Sequence, residues 1–552
     1  MKSSRTPKAR GAGLLLLSVW VWLIAACSVA QASTYVVYIA LDSPIYQELD
    51  TLDGLGVLDT YLSELKPISR VEAARLTLEA EHNLYVSERS DLLAERLIRV
   101  LRSQLSEEIA WFENNTEDDQ PTMVHPVERV EATYVFSRGQ RRQMNNNYSL
   151  IQAEEATPLL PNNDDLPTSS GSNEVARWSG WAGFGGFLTA YGEGALAGPL
   201  TEAPANTNRA RLVRGEVVAS FGNVAVSAGE QEMAWGTGYF GSLSQGANAR
   251  PFRALRVQNI HPTLLSGFLR YLGPFRGQFF LGRLDHGRTF ANPWISGQIV
   301  SFKPLPTFEL GMTHVIMFGG LSNNNYSFAG FIGRMTGVNT GSPAGGNTNS
   351  RGSIYLKFRF PSLRDMSVYQ EILGEDNLTN EVPLVGRFLP FLAVSYQGGV
   401  YVPRLTADGL TTARFEYAIL EPNYSDHSDS LYWTYDGRTM GDPMGPNASK
   451  IDLAVGRWIG YRYKLDLDTF YTERAPARLA GLHKERRGGV AVDILRLAER
   501  LQKLGGGLGE LRARGAVEYV HSINFARDTN SLRFTFMFSG SLTPAFESVV
   551  WH

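Results

Sequence analysis

Ser531-Leu532-Arg533-Phe534-Thr535-Phe536-Met537-Phe538 decides how the rest of the chain is read. Leu532, Phe534, Phe536 and Phe538 fall on one side of an extended strand, and Ser531, Arg533 and Thr535 on the other. The same two-sidedness recurs upstream. Ile354, Leu356, Phe358 and Phe360 alternate with Tyr355, Lys357 and Arg359, and Tyr461, Tyr463, Leu465 and Leu467 oppose Arg462, Lys464 and Asp466. Each segment has one apolar and one charged face. From about Val130 onward the period stays at two, in about 16 to 18 segments of about eight to fourteen residues separated by Gly, Asn, Asp and Pro.

A soluble sandwich alternates in the same way, so alternation alone does not choose the solvent. The number of segments on one chain, the aromatic residues at many strand ends, and long polar inserts alternating with short turns favour a large antiparallel transmembrane β-barrel. The long inserts are Gly341 to Asn349 and Pro422 to Ser430, whereas Asp528-Thr529-Asn530 reads as a tight turn between strands ending at Arg527 and resuming at Ser531. The composition, with 55 Gly, 23 Tyr, 28 Phe and 10 Trp, agrees. Past the leader no run reaches the ~18 consecutive apolar residues that a membrane helix needs, a test that barrel strands escape because they face lipid only at alternate positions. The last readable strand ends near Leu542, leaving a short unassigned tail with Trp551 penultimate and His552 last.

The N-terminal part is built differently. Lys2, Arg5, Lys8 and Arg10 precede the apolar run Gly11 to Ala26, the pattern of a signal peptide over residues 1–32, with Ala30-Gln31-Ala32 offering cleavage before Ser33. Ile24-Ala25-Ala26-Cys27 also fits a lipoprotein signal, which would acylate Cys27. Cys27 is the single cysteine, so the chain can form no internal disulfide. Residues 33–125 read as a bundle of three helices: Ser43-Pro44 opens the first, Gly54 and Gly56 close it, Ser69-Arg70-Val71-Glu72 has capping-box spacing before the second, and Leu93, Leu97, Val100 and Leu101 mark a third starting near Ser90. The barrel is assigned to residues 126–552, and the bundle is either a small soluble domain or a unit that packs into or under the barrel mouth.

Several functions are disfavoured. A formal net charge of −3 lacks the basic excess that neutralises nucleic-acid phosphates. There is no G-x-S-x-G or H-E-x-x-H, His314 sits in a strand-like run that suits a lumen or interface position, and Glu371 with Glu375 is a weak basis for glycoside cleavage. Asp426 and Asp429 lack the spacing of a calcium loop. No catalytic residue, metal or cofactor is therefore expected.

The most distinctive run is Glu230-Gln231-Glu232-Met233-Ala234-Trp235-Gly236-Thr237-Gly238, followed by Leu243-Ser244-Gln245-Gly246-Ala247-Asn248-Ala249-Arg250-Pro251-Phe252. Read from the residues, the glycines permit a sharp turn or close backbone approach beside a packed indole. The alternative places Trp235 and Arg250 in the lumen, stacking on sugars and bonding acidic groups. Arg250 and Arg253 equally suit ion pairs with lumen carboxylates such as Glu230 or Glu232, because the interior of a large barrel is polar. The segment Asn423 to Trp433, with Tyr424, Tyr432 and Trp433, mixes aromatic and short polar side chains as a sugar-binding loop or any solvated loop does.

This run resembles the W-G-x-G…N-A-R-P signature of the capsule-assembly Wzi family, in Trp235, Gly236, Gly238, Asn248, Ala249, Arg250 and Pro251. The similarity extends to Ser43-Pro44 leading to Leu55-Gly56-Val57, to Gln278 through Asp285, and to Tyr435-Asp436-Gly437-Arg438 leading into Gly441-Asp442-Pro443-Met444-Gly445-Pro446. Thr237 stands where proline is usual. The resemblance implies a barrel of about 18 strands in the cell outer membrane with a helical bundle at its periplasmic side. It implies a surface lectin that binds exported capsular or exopolysaccharide and helps organise it on the cell, without enzymatic activity. Expected partners are that polysaccharide and outer-membrane lipid, with no nucleic acid, and the chain is expected to be a monomer. The polysaccharide-binding candidates are Trp235, Arg250, Arg253, Tyr424, Tyr432 and Trp433. A porin-like channel for sugars or other small solutes is the competing reading.

Overall fold

The computed structural model describes residues 34–88, 90–145, 150–154, 170–199, 210–287, 291–320, 328–335, 348–375, 394–422, 424, 433–436, 438–460, 462–475, 483–497, 499–501, 506–543 and 549–551. Eighteen antiparallel strands close into one barrel. The first, Thr122–Arg138, pairs with the last, Ser531–Thr543, so that Val130 lies opposite Leu542 and Phe136 opposite Phe536. Closure leaves no strand edge unpaired, which is what a hydrocarbon environment demands.

The alternation read from the sequence sorts itself as that environment requires. Ile354, Leu356, Phe358 and Phe360 are exposed on the outer wall, as are Leu465, Leu467, Leu532, Phe534, Phe536 and Phe538. Their neighbours Tyr355, Lys464 and Arg533 are buried in the interior. A soluble sandwich would bury the apolar face instead, so this wall is a membrane-spanning belt.

The two ends of the cylinder differ. At one end the links are short, as at 185–187, 222–223, 306–307 and 361–365; at the other they are long, as at 139–170, 232–251, 319–347 and 421–447. Arg527 does not end a strand: the strand Gly506–His521 stops earlier and residues 522–530 form the connection. Ser522, Asn524, Phe525 and Asp528 take positive φ there, and the loop folds back to bury Ile523 and Phe525, so the expected tight turn is only its last part. The C-terminal tail also has a place, since Val549–Trp551 continues the pairing with the first strand at Thr122–Val124.

Among the described residues four N-terminal helices, not three, pack at the short-turn end: α1 (Ile45–Gly54), α2 (Arg70–Val86), α3 (Leu92–Gln104) and α4 (Ser106–Asn114). Leu105 leaves the helical region between α3 and α4, which frees the Gln104 carbonyl to accept from Arg70. Ser69 caps α2 as expected by accepting from the Glu72 amide at 3.2 Å, while the cap of α3 is Asp91, one residue beyond Ser90. Gly56 follows α1 at φ 73°, and a side chain there would run into the Arg359 guanidinium. The first barrel strand begins at Thr122, slightly before the expected boundary at 126.

The bundle is not an independent module. Its apolar core, including Leu49, Leu52, Leu76, Leu97 and Leu101, is shared with Trp458, Leu495 and Leu497 of the barrel. A second core joins Val36, Tyr38 and Val71 to Val218, Ala225 and Ile260. Ion pairs pin it further, because Asp53 of α1 bonds both Lys303 and Lys357 of the wall at 2.8 Å. A fifth helix, α5 (Phe328–Met335), lies against the outer wall near the long-loop end, with the Phe331 ring 5.4 Å from Trp294 and 5.5 Å from Phe318.

Candidate functional site

The connection 232–251 does not project into solvent but turns into the barrel. Its first residues pair with the N-terminal segment: Trp235 lies opposite Leu65, and the Gly236 amide donates to the Glu64 carbonyl at 3.0 Å. The Trp235 indole is fully buried, donates through Nε1 to Gln278 at 2.5 Å, and packs 5.3 Å from the Phe280 ring. Gly236, at φ 118°, is required as glycine because a side chain would meet the Glu371 carboxylate. At Gly238 a side chain would meet Gln397 and the Gly241 carbonyl. The glycines of the motif therefore serve close approach of backbone to lumen carboxylates and amides.

Beyond them, the Tyr239 and Phe240 amides donate to the two carboxylate oxygens of Glu416 at 2.7 and 3.0 Å, and Lys450 donates to the Phe240 carbonyl at 2.9 Å. The second inward segment, from Trp433 to about Asn447, locks onto the first. Asn248 donates to the Thr439 carbonyl at 2.9 Å, and the Gly246 amide to the Met440 carbonyl at 2.6 Å. The Tyr424 hydroxyl donates to the Leu243 carbonyl at 2.6 Å and accepts from the Asp442 amide at 2.7 Å. Arg351 lies 4.2 Å from the centre of the Trp433 ring and donates to the Ser244 carbonyl. Between these loops and α1 remains a cavity of about 190 Å³, lined in part by Tyr46, Asp50, Tyr239, Tyr401 and Arg414.

The sequence profile of the capsule assembly protein Wzi family matches residues 140–525. The chain belongs to that family. Its fold is similar to a solved Escherichia coli structure described as Wzi, an outer membrane protein involved in group 1 capsule assembly and a carbohydrate-binding β-barrel. The TM-score is 0.62 at 17% identity, over 91% of this chain and 98% of that one. An uncharacterised 55.8 kDa protein in the cps region of Klebsiella pneumoniae is 27% identical over 172 residues, so the match spans 31% of this chain and about a third of the relative, 34% of its length. The Pseudomonas aeruginosa outer membrane protein OprD overlaps at a TM-score of 0.41 and 10% identity, over 78% of this chain and 94% of that one.

Against this Wzi-family frame the candidate residues separate into groups. Trp235, Tyr424 and Trp433 are each 0% exposed. Their rings are committed to the closure of the lumen, and the sugar-stacking expectation is corrected for all three, because stacking needs a free face. Asn248 and Ala249 are buried with them, and Tyr432, like Asp426 and Asp429, lies outside the described residues. Arg253 is not in the lumen at all. It pairs across the strands with Glu230 in the row that continues with Leu255 opposite Ala228, the lipid-facing row. Side chains of opposed residues share a face, so Arg253 points outward, 83% exposed, 3.3 Å from Glu230. Glu232 pairs with Arg214 at 3.2 Å instead of with either arginine.

Arg250 sits at the lip, one-third exposed and 3.5 Å from Glu230. Its electrostatic neighbour is Tyr435, a half-buried residue of the short hairpin Thr434–Tyr435 and Arg438–Thr439. Burial raises the Tyr435 phenol above its ordinary value, and Arg250 only partly opposes this, so the hydroxyl stays neutral and able to donate. Exposed Asp436 follows it at φ 50°. Arg250 and the Tyr435–Asp436 pair were both within motifs read from the sequence, but their meeting at the rim was not, since about 185 residues separate them.

Of the remaining candidates, Glu371 faces inward and accepts from the Thr237 amide at 3.3 Å, which gives it a structural task; the Glu375 side chain lies outside the described residues. His314 pairs with Gln298 in the outward row that includes Met312, so it belongs to the outer wall and not the lumen. Among the described residues no group of carboxylates, histidines or cysteines is arranged to hold a metal ion.

Proposed function

We propose that this chain is an outer-membrane surface lectin that binds exported capsular or exopolysaccharide and helps attach it at the cell surface, without making or breaking glycosidic bonds. The observation that carries the reading is the filling of the lumen from both ends. Helices seal the short-turn end, and the segments 232–251 and 433–447 fold in from the other. Short turns face the periplasm in bacterial outer-membrane barrels, which sets the bundle there as a plug and turns the long connections toward the cell exterior. A polymer then meets the rim and not a channel. Membership of the Wzi family and the likeness to a carbohydrate-binding barrel of capsule assembly support the same ligand class.

At the rim, Arg250 supplies a guanidinium for carboxylate or pyruvyl groups of an acidic sugar, and Tyr435 supplies an amphipathic ring with a donor hydroxyl. Retention of the host's own purified polysaccharide on barrel-reconstituted protein tests this. Arg250→Ala and Tyr435→Ala are expected each to weaken retention by about tenfold, the loss of a charge-assisted bond or a stacked ring. Wild-type retention no better than that of an unrelated barrel would end the lectin reading, and a large open conductance in planar bilayers would replace it with a channel.

A further inference from the structure

We propose that the outer wall of the barrel, just below its long-loop rim, carries a binding site for the phosphorylated headgroup of an outer-leaflet glycolipid, built from Arg253, Arg283 and Trp294. The three belong to consecutive barrel strands, Phe252–Asn259, Pro274–Arg283 and Trp294–Leu305. Arg283 lies opposite Trp294, and the last registered pair of the first two strands is Ala254 with Gly282, so Arg253 and Arg283 flank that pair on the outward face. Below them the same face continues through Leu255 and Leu281 into the apolar belt. Arginines placed at this height belong to the headgroup layer, because a guanidinium deeper in the lipid face is strongly disfavoured.

Among the described residues the charge is only partly neutralised: no carboxylate is ion-paired with Arg283, and Glu230, which faces Arg253, is divided between Arg250 at 3.5 Å and Arg253 at 3.3 Å, both long for ion pairs. Arg253 stays 83% exposed despite that contact. Exposed Arg283 is stacked 4.7 Å over the Trp294 ring, a contact that orients its fork of donors without using them. Trp294 is in turn held edge-on by Phe331 of α5 at 5.4 Å, and the Ser296 hydroxyl donates to the terminal Met335 carbonyl of that helix at 3.0 Å. The helix is thereby fixed as a shelf beside the arginines. Two guanidiniums, an indole at the interface and an apolar track leading downward match a phosphate, a sugar and acyl chains in that order. A polymer above the rim would have to enter the headgroup layer to reach them.

Native mass spectrometry of the full-length protein in detergent tests the assignment, with lipid A carrying its phosphates, the same lipid dephosphorylated, and inorganic phosphate as probes. The phosphorylated lipid should bind wild type and lose affinity by about tenfold or more in R253Q/R283Q, while the dephosphorylated lipid binds both proteins equally weakly. Both side chains are exposed, so the variant should keep the heat-modifiable mobility of a folded barrel. R486Q, which removes an exposed outer-wall arginine near the long-loop rim, is the control for unspecific charge and should bind as wild type. Equal lipid binding by wild type and R253Q/R283Q, an equal loss in R486Q, or displacement by inorganic phosphate alone would each overturn the site. So would a loss of polysaccharide retention in R253Q/R283Q, which would assign these arginines to the polymer; failure of the lectin reading itself leaves the lipid result unchanged.

Discussion

The two ends of this barrel are closed by opposite chemistry. At the short-turn end, helices bring an apolar core that merges with Trp458, Leu495 and Leu497 of the wall. At the long-loop end, backbone amides and carbonyls of two folded-in connections are caught one by one by charged lumen side chains, Glu416, Glu371, Lys450 and Arg351. Apolar closure is non-directional and spreads over many residues, so no single deletion undoes it. Polar closure is directional, and every buried group in it needs its partner. The long-loop end should therefore be the more easily opened by point substitution, except where charge has been buried at the helical end.

That exception gives the largest expected effect. Asp53 faces two lysines, Lys303 and Lys357, and the burial that disfavours its carboxylate is outweighed by them, so it stays charged. Asp53→Ala leaves both ammonium groups without their anion in a water-poor site and should cost about 3–5 kcal/mol. Hydrogen exchange should then accelerate across α1 while the wall strands stay protected; unchanged protection would show that the apolar core alone holds the helix. Next in size is Glu416→Ala, which strands the Tyr239 and Phe240 amides. Its cost should be about 3 kcal/mol, concentrated in the segment 232–251, and planar-bilayer recordings should show current steps that wild type lacks. A silent variant would mean the inward loop is held elsewhere.

The same contrast explains what was legible beforehand. Helices that close by apolar burial announce themselves through spacing, as Leu93, Leu97, Val100 and Leu101 do, and so does the lipid-facing row of Phe534, Phe536 and Phe538. A closed barrel of about 16 to 18 strands followed from such patterns, and the family from the resemblance carried by the run Trp235 to Pro251. The inward fold of 232–251 did not, because its partners Glu416, Gln278 and Arg351 occupy the polar face of ordinary alternating strands, where nothing distinguishes a loop-holding side chain from a solvated one. Arg253 was misplaced for a related reason. Period-two reading fixes which residues share a face, but a charged residue at a strand end is counted as interior unless the register places it among lipid-facing neighbours. The α5 helix is too short for its period to declare itself within a long insert.

Acid should loosen the helical end through Glu72 of α2. Burial pushes its carboxyl up, but Arg75 at 2.8 Å and His261 at 2.6 Å outweigh it and hold the value at about 2, below the ordinary 4.5. A depressed carboxylate contributes stability in full above its unfolded value and loses it as the pH falls through the folded one. The window thus runs from about 4.5 down to about 2, with about 3 kcal/mol at stake. Pepsin cleavage within residues 70–86 should rise across that window in wild type and stay flat in Glu72→Gln; identical profiles would remove Glu72 from the docking of α2.

The smallest effect discriminates most finely. Trp235 was open to two readings, a sugar platform or a packed indole, and in the folded chain it touches Phe280 and donates to Gln278. Trp235→Phe keeps an aromatic ring in the pocket while deleting the donor, leaving the Gln278 oxygen to find another partner, at about 1–2 kcal/mol. If the indole only braces the inward loop, the variant's unfolding midpoint in detergent drops modestly while retention of polysaccharide is unchanged, whereas Arg250→Ala does the reverse. Should both variants lose retention together with little loss of stability, the loop 232–251 must leave the lumen to meet the polymer. The polar closure would then be a gate, its directional bonds being few enough to break and remake, which a merged apolar core at the opposite end cannot do without unfolding.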